Sequence, residues 1–187
     1  TLDLDSTALL HEDGHQEGVR VGYSRKGLKP CHHPLIAVLA EVKMVAGYWL
    51  RSGNCSDAGN AAGLVRGLLE YLPAHIRIGL VRADSGFVDK KLFEVLESKG
   101  IRYIMARALA PNIKALCRHD DRHWEQTEIP GVEIQECDWQ RPGQRLIVIR
   151  QRIAERPEAG GKLLFDLPAY RYQALITNLP RSVSALE

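Results

Sequence analysis

Residues 76–106, "IRIGLVRADSGFVDKKLFEVLESKGIRYIMA", constrain the fold more than any other part of the chain. An apolar run, "IRIGLV", gives way to a turn at "ADSGF". A helix follows over "VDKKLFEVLESKG", with Gly100 as its C-terminal stop. "IRYIMA" then returns as a strand. Alternating strands and helices bury their apolar surfaces by packing helices on a sheet.

Three further strands are expected upstream, "LDLDSTALL", "PLIAVLAEV" and "VAGYWLRSG", the last two forming a hairpin. A helix in "SDAGNAAGLVRGLLEYLP" has possible caps at Ser56 or Asp57. It sets Ala61, Leu64, Val65, Leu68, Leu69 and Leu72 at helical spacing and closes at Pro73. The first half therefore reads β-β-β-α-β-α-β, an α/β arrangement with a mixed sheet. Between its first two strands lies "HEDGHQEGVRVGYSRKGLKPCHH", a polar, Gly-rich loop or irregular hairpin, expected outside the core. Tyr48, Trp49 and Leu50 are expected inside it.

From Arg107 on the pattern changes. A short helix at "PNIKALCR" precedes "WEQTEI", "VEIQECDW", "RLIVIRQRI", "KLLFDL" and "YRYQALITNL", an antiparallel β-rich segment in which Trp124 and Trp139 pack. The expected division is 1–106 and 107–187.

A composition of 45% hydrophobic and 26% charged residues suits a globular chain of 187 residues with a real core. The net charge of +2 selects no partner, but Arg20, Arg25, Lys26 and Lys29 form a local basic stretch. Cys31, Cys55, Cys117 and Cys137 are scattered without a CxxC pair, which favours reduced thiols and a cytoplasmic setting. "CHH" at 31–33 lacks the second ligand pair that a zinc site needs. No apolar run has the length of a membrane span, and no signal peptide is visible. The chain begins on Thr1 before an apparent strand and ends on "SALE", so both ends read as cut.

Asp3 and Asp5 stand out, because aspartate is depleted from strands. Asp84 lies where a strand gives way to a turn, the end of an α/β sheet at which sites collect. If the first strand is central and the fourth lies beside it, Asp5 and Asp84 meet. Two converging carboxylates repel unless a divalent cation lies between them. A third acid would allow a two-metal clamp for displacement at phosphorus. Either residue alone could instead serve as a local cap, Asp84 for its turn and Asp5 for the Ser6 or Thr7 amide.

"LDLDST" fits the D-x-D-x-T signature of haloacid-dehalogenase-type phosphatases, which would make Asp3 the nucleophile and Asp5 the acid/base. "DSGFVD", with Asp84 and Asp89, resembles that family's later acidic motif. A basic loop and a strand hairpin follow here instead of a flap and helices, and no lysine lies between Lys43 and Asp84. "LDLDST", "GHQEGVRVGYSRKGLKPCHHPLIAVLAE", "VRADSGF" and "YRYQALITNL" together more closely resemble the DDE transposases of bacterial insertion sequences. The resemblance covers nearly the whole chain.

It implies an RNase H-like catalytic core interrupted by a β-rich insertion, and metal-dependent cleavage and transfer of DNA strands. Asp5 and Asp84 would be the catalytic, Mg²⁺- or Mn²⁺-binding acids, with Asp3 a neighbour of open role. Transposon ends and target DNA would be the partners, and a homodimer the working assembly. Gln16, Arg20, Arg25, Lys26 and Lys29 become candidate DNA contacts, a solvated basic loop being the other reading. His11 and His15 could shuttle protons or simply occupy a polar loop. The family's catalytic Glu lies in a helical Tyr-Arg-Glu-Lys pattern. "YRYQ" is the nearest match and lacks the Glu and Lys, so the third acid is expected beyond Glu187. The chain alone would then hold metal weakly and leave DNA uncut. A non-catalytic, DNA-binding remnant of a transposase is the remaining alternative.

Overall fold

A computed structural model describes residues 1–11, 15–24, 26–56, 59–118, 124–153 and 170–181. They fall into two compact units, one of residues 1–105 with Arg181 and one within residues 106–180.

In the first unit the elements are β1 (Leu2–Ser6), β2 (Leu9–Leu10), β3 (Arg20–Ser24), β4 (Gly27–His32), β5 (Leu35–Leu39), β6 (Met44–Trp49), α1 (Ala61–Tyr71), β7 (Leu80–Ala83), α2 (Lys90–Ser98) and β8 (Arg102–Ala106). The larger sheet runs in the order β6-β5-β1-β7-β8. β1 pairs antiparallel with β5 and parallel with β7, so the sheet is mixed. β1 is central because Leu2 and Leu4 are buried, and Asp3 and Asp5 alternate with them on the other face. α1 buries Ala61, Leu64, Val65 and Leu68, and α2 buries Leu92, Phe93, Val95 and Leu96.

The start of α2 is fixed by local bonds. Asp89 caps α2 by accepting from the amides of Lys91 (2.9 Å) and Leu92 (3.2 Å). Gly100, at φ +65°, ends it, and the Gly100 and Ile101 amides donate to the carbonyls of Glu97 and Leu96. α1 begins later than its sequence suggests, with Asn60 and not Ser56 at the N-cap. The segment before it is a turn, closed by the Gly59 amide on the Ser56 carbonyl. Asp57, the other expected cap, lies outside the described residues.

Two further expectations are corrected. Tyr48, Trp49 and Leu50 are exposed, because β6 is the outer strand of this sheet. The "GVRVGYSRKGLKPCHH" stretch does form a hairpin, β3–β4, which with β2 builds a second, antiparallel sheet in the order β2-β4-β3, but its expected place outside the core is corrected. Polar as it is, that stretch buries Ser24, Cys31 and His32.

In the second unit, α3 (Pro111–Arg118) precedes β9 (Glu125–Gln126), β10 (Val132–Asp138), β11 (Arg145–Arg152) and β12 (Tyr170–Thr177). The strands run antiparallel in the order β12-β11-β10-β9. Leu146, Ile147, Val148, Ala174 and Ile176 form the core of this unit. Arg150 lies over the rings of Trp124 (4.2 Å) and Tyr170 (4.6 Å) and pairs with Glu133. Trp139 is partly covered here as well, and its indole nitrogen, like that of Trp124, is buried without an acceptor. "KLLFDL" lies outside the described residues. No helix among the described residues is long and apolar enough to cross a membrane.

Candidate active site

The parallel pairing of β1 with β7 matches Leu2 to Val81, Asp3 to Arg82 and Leu4 to Ala83. One step further along both chains stand Asp5 and Asp84. Asp84 keeps an extended backbone (φ −78°, ψ −179°) before a single 3₁₀ turn over Ser85–Phe87. The two aspartates therefore directly follow the last matched pair of neighbouring strands, and such strands lie about 5 Å apart. Phe87, fully buried, anchors the turn that follows.

Each carboxylate has one oxygen engaged locally. Asp5 Oδ1 accepts from the Ser6 amide at 2.7 Å, and Asp84 Oδ1 accepts from the Gly86 amide at 2.9 Å. The second oxygen of each is the donor left for an external ligand. Asp3 is different. It faces the same side as Asp5, but Arg82 grips it through both oxygens, Nε to Oδ1 at 2.7 Å and Nη2 to Oδ2 at 2.8 Å. Hydrogen bonding and charge from Asp3 in turn hold the Arg82 guanidinium above its ordinary range. Asp3 is thereby neutralised, while Asp5 and Asp84 carry the charge of this strand end.

Behind Asp5 lies a bracket that the sequence did not announce. Ser6 Oγ donates to the Pro34 carbonyl (3.0 Å) and lies 3.0 Å from His33 Nδ1. Arg51, only 7% exposed, donates from Nη2 to Ser6 Oγ (3.0 Å) and from Nε to the His33 carbonyl (2.9 Å). Its Nη1 donates to the carbonyls of Ser56 (2.9 Å) and Gly59. One guanidinium thus ties the end of β1 to the approach to β5 and to the turn before α1.

Of the basic candidates, Arg20, Lys26 and Lys29 share the β3–β4 hairpin and are exposed, as is Gln16 just ahead of it. Arg25 lies outside the described residues. His11 Nε2 meets His32 Nδ1 at 2.8 Å, and His32 Nε2 donates to the Glu17 carbonyl. His15 is exposed. Cys31, His32 and His33 each have different neighbours: Cys31 packs under Gly53, His32 meets His11, and His33 meets Ser6. "YRYQ" is part of strand β12, so it offers no helical face. Among the described residues no three His, Cys, Asp or Glu side chains come together, and Glu187 lies outside them.

A mixed sheet that carries two carboxylates to the same end of adjacent parallel strands defines an α/β protein with an acidic strand-end site. Residues 1–176 match the family model described as the transposase DDE domain, and the chain belongs to that family. No curated protein matches the chain significantly. Among solved structures it resembles the piggyBac transposase seen by cryo-EM in a synaptic complex with hairpin DNA, at a TM-score of 0.54 and 12% identity. That likeness, which concerns the fold, covers 99% of this chain and 34% of the other, so the chain spans about a third of that transposase's length. The phosphatase alternative falls with the family match. Asp3, its nucleophile, is closed by Arg82, and Asp89 is a helix cap.

Proposed function

We propose that this chain is the catalytic region of a DDE transposase, an RNase H-like core (residues 1–106) followed by a β-rich insertion (from 107 on). Asp5 and Asp84 would hold the catalytic divalent metal. The observation that carries this reading is the β1–β7 register, whose last pair, Leu4 and Ala83, directly precedes these two residues along the chain. The donor set fits Mg²⁺ or Mn²⁺, both of which prefer hard carboxylate oxygens and complete their shells with water and phosphate. When bound, the metal would activate a water or 3′-hydroxyl nucleophile and offset charge on the leaving oxygen.

The chain's own residues prepare that site. The Ser6 and Gly86 amides each fix one oxygen of a carboxylate, so the other is presented in a set direction. Arg82 removes the charge of Asp3 from the competition for cations. Arg51 and His33 hold the strand end that carries Asp5. Transposon-end and target DNA, with a homodimer as the working assembly and the cytoplasm as its setting, follow from the same reading.

Mn²⁺ binding, followed by electron paramagnetic resonance, tests it. The chain is expected to bind Mn²⁺ weakly through two carboxylates. Asp5→Ala and Asp84→Ala should each abolish the bound signal, while Asp3→Asn keeps it. Unchanged binding in both alanine variants would sink the proposal. Where the wild type nicks DNA in Mn²⁺, that activity should disappear in the same two variants.

A further inference from the structure

β6 is the outer strand of the first unit's sheet, and among the described residues no strand pairs with its free edge. An open edge presents a row of backbone donors and acceptors, which natural proteins guard with a charge, a proline or a very short strand. Met44–Trp49, six residues long, contains no charged residue and no proline. Its side chains are bare as well: Val45 is 63% exposed, Met44 62%, Tyr48 50% and Trp49 40%. Val42 and Leu50, on either side of the strand, are exposed too. An apolar group of this kind marks a contact surface, and at a strand edge the contact that satisfies the backbone is another strand.

The symmetry of β6 selects the occupant. Its pairing with β5 runs Leu35–Trp49, Ile36–Tyr48 and Ala37–Gly47, then skips to Val38–Val45 and Leu39–Met44, so Ala46 is a bulge. The extra residue puts Val45 and Tyr48 on one face, that of Asp3 and Asp5. Met44, Gly47 and Trp49 share the other, where Gly47 lies against Leu68 and Trp49 against Gly63 of α1. Turned about a two-fold axis between Ala46 and Gly47, the strand therefore matches itself. Val45 falls opposite Tyr48 of a second copy on one face and Met44 opposite Trp49 on the other, with the small Ala46 and Gly47 at the centre. No charge opposes a like charge, since Lys43 falls opposite Leu50. DNA is a poor occupant, because β6 has no cation for a phosphate.

We propose that the outer edge of β6 pairs antiparallel with β6 of a second copy, joining two five-stranded sheets into one. This rests on the homodimer reading above and assigns it a surface, one that needs neither DNA nor metal. The two β1 strands then lie about five strand spacings apart, roughly 24 Å. Both Asp5 side chains stand on the same face of the joined sheet, which holds the two acidic centres at a set separation. A single strand pair is smaller than the roughly 800 Å² per partner of a standard interface, so the dimer is reversible and concentration-dependent.

Sedimentation of the full chain, without DNA or divalent ions and over a wide range of concentration, tests this. The wild type should pass from monomer to dimer as concentration rises. Val45→Lys with Tyr48→Lys sets like charges directly opposite each other across the axis and should weaken the dimer about ten-fold or more. Val45→Glu with Tyr48→Glu should do the same. An equimolar mixture of the two variants should restore the dimer, because each lysine then faces a glutamate. Both positions are exposed, so the melting temperature of the dilute, monomeric chain should change little and serves as the folding control. A dimer that persists in both charged variants overturns this proposal alone, since another surface then joins the copies. A mixture that stays monomeric overturns it too, because Val45 and Tyr48 then do not meet across the axis. A wild type that is monomeric without DNA also overturns it alone, and one that stays monomeric with DNA overturns the homodimer reading as well.

Discussion

Arg51 shows most clearly how the site is built at the scale of single residues. Its guanidinium serves one hydroxyl and three backbone carbonyls drawn from separate stretches of chain. Arg51→Met would leave these acceptors buried without their donor, each loss costing about 1–3 kcal/mol before relaxation. The expected destabilisation is about 3 kcal/mol or more, read as a lower urea midpoint. Asp3→Asn is a contrast, since the Asp3–Arg82 pair is largely exposed and pairs of that kind contribute about 1 kcal/mol or less. Of the two aspartates of the proposed centre, Asp5 draws attention in the sequence because it breaks strand propensity, and Asp84 because it stands where a strand gives way to a turn. Arg51 draws none. Its partners are mostly backbone carbonyls, which every residue has, so no spacing or residue type betrays the bracket.

Elements were legible where one face is buried and a breaker closes the segment. β1, β8 and α2 follow this rule, with Leu2 and Leu4 inside and Gly100 at the stop, whereas β7 covers Leu80–Ala83 and not the whole apolar run from Ile76. Hydrophobicity without position misled at Tyr48–Leu50, because an outer strand and an inner one can carry the same apolar residues. The Gly-rich stretch misled in the opposite direction. Its Gly22 lets a backbone carbonyl approach a strand, so the sheet closes over residues too polar to suggest a core. The capping of α2 can be tested at the same scale. Asp89→Ala should cost about 1 kcal/mol of stability through loss of two amide acceptances, measured by thermal melting. Mn²⁺ binding should be unaffected, since Asp89 serves the helix and not the centre.

Across the molecule, near-neutrality hides a separation of charge. The net +2 comes from 25 basic and 23 acidic residues. Yet β1 delivers Asp5 at its end, and the cation-bearing small sheet begins with Leu9, within the same unit. If the chain engages DNA as proposed, a strand held by the cations and directed to the carboxylates meets repulsion there unless a divalent ion intervenes. A unit charge against a phosphate at contact is worth about 1 kcal/mol in water. Asp5→Asn with Asp84→Asn should therefore bind DNA a few-fold more tightly than the wild type when no divalent ion is present. Adding Mn²⁺ at constant ionic strength should strengthen the wild type and leave the double variant unchanged, as read by fluorescence anisotropy. An equal response of the two proteins to Mn²⁺ would separate Asp5 and Asp84 from the path of the DNA, and the basic hairpin would then be guiding the strand to some other place on the molecule.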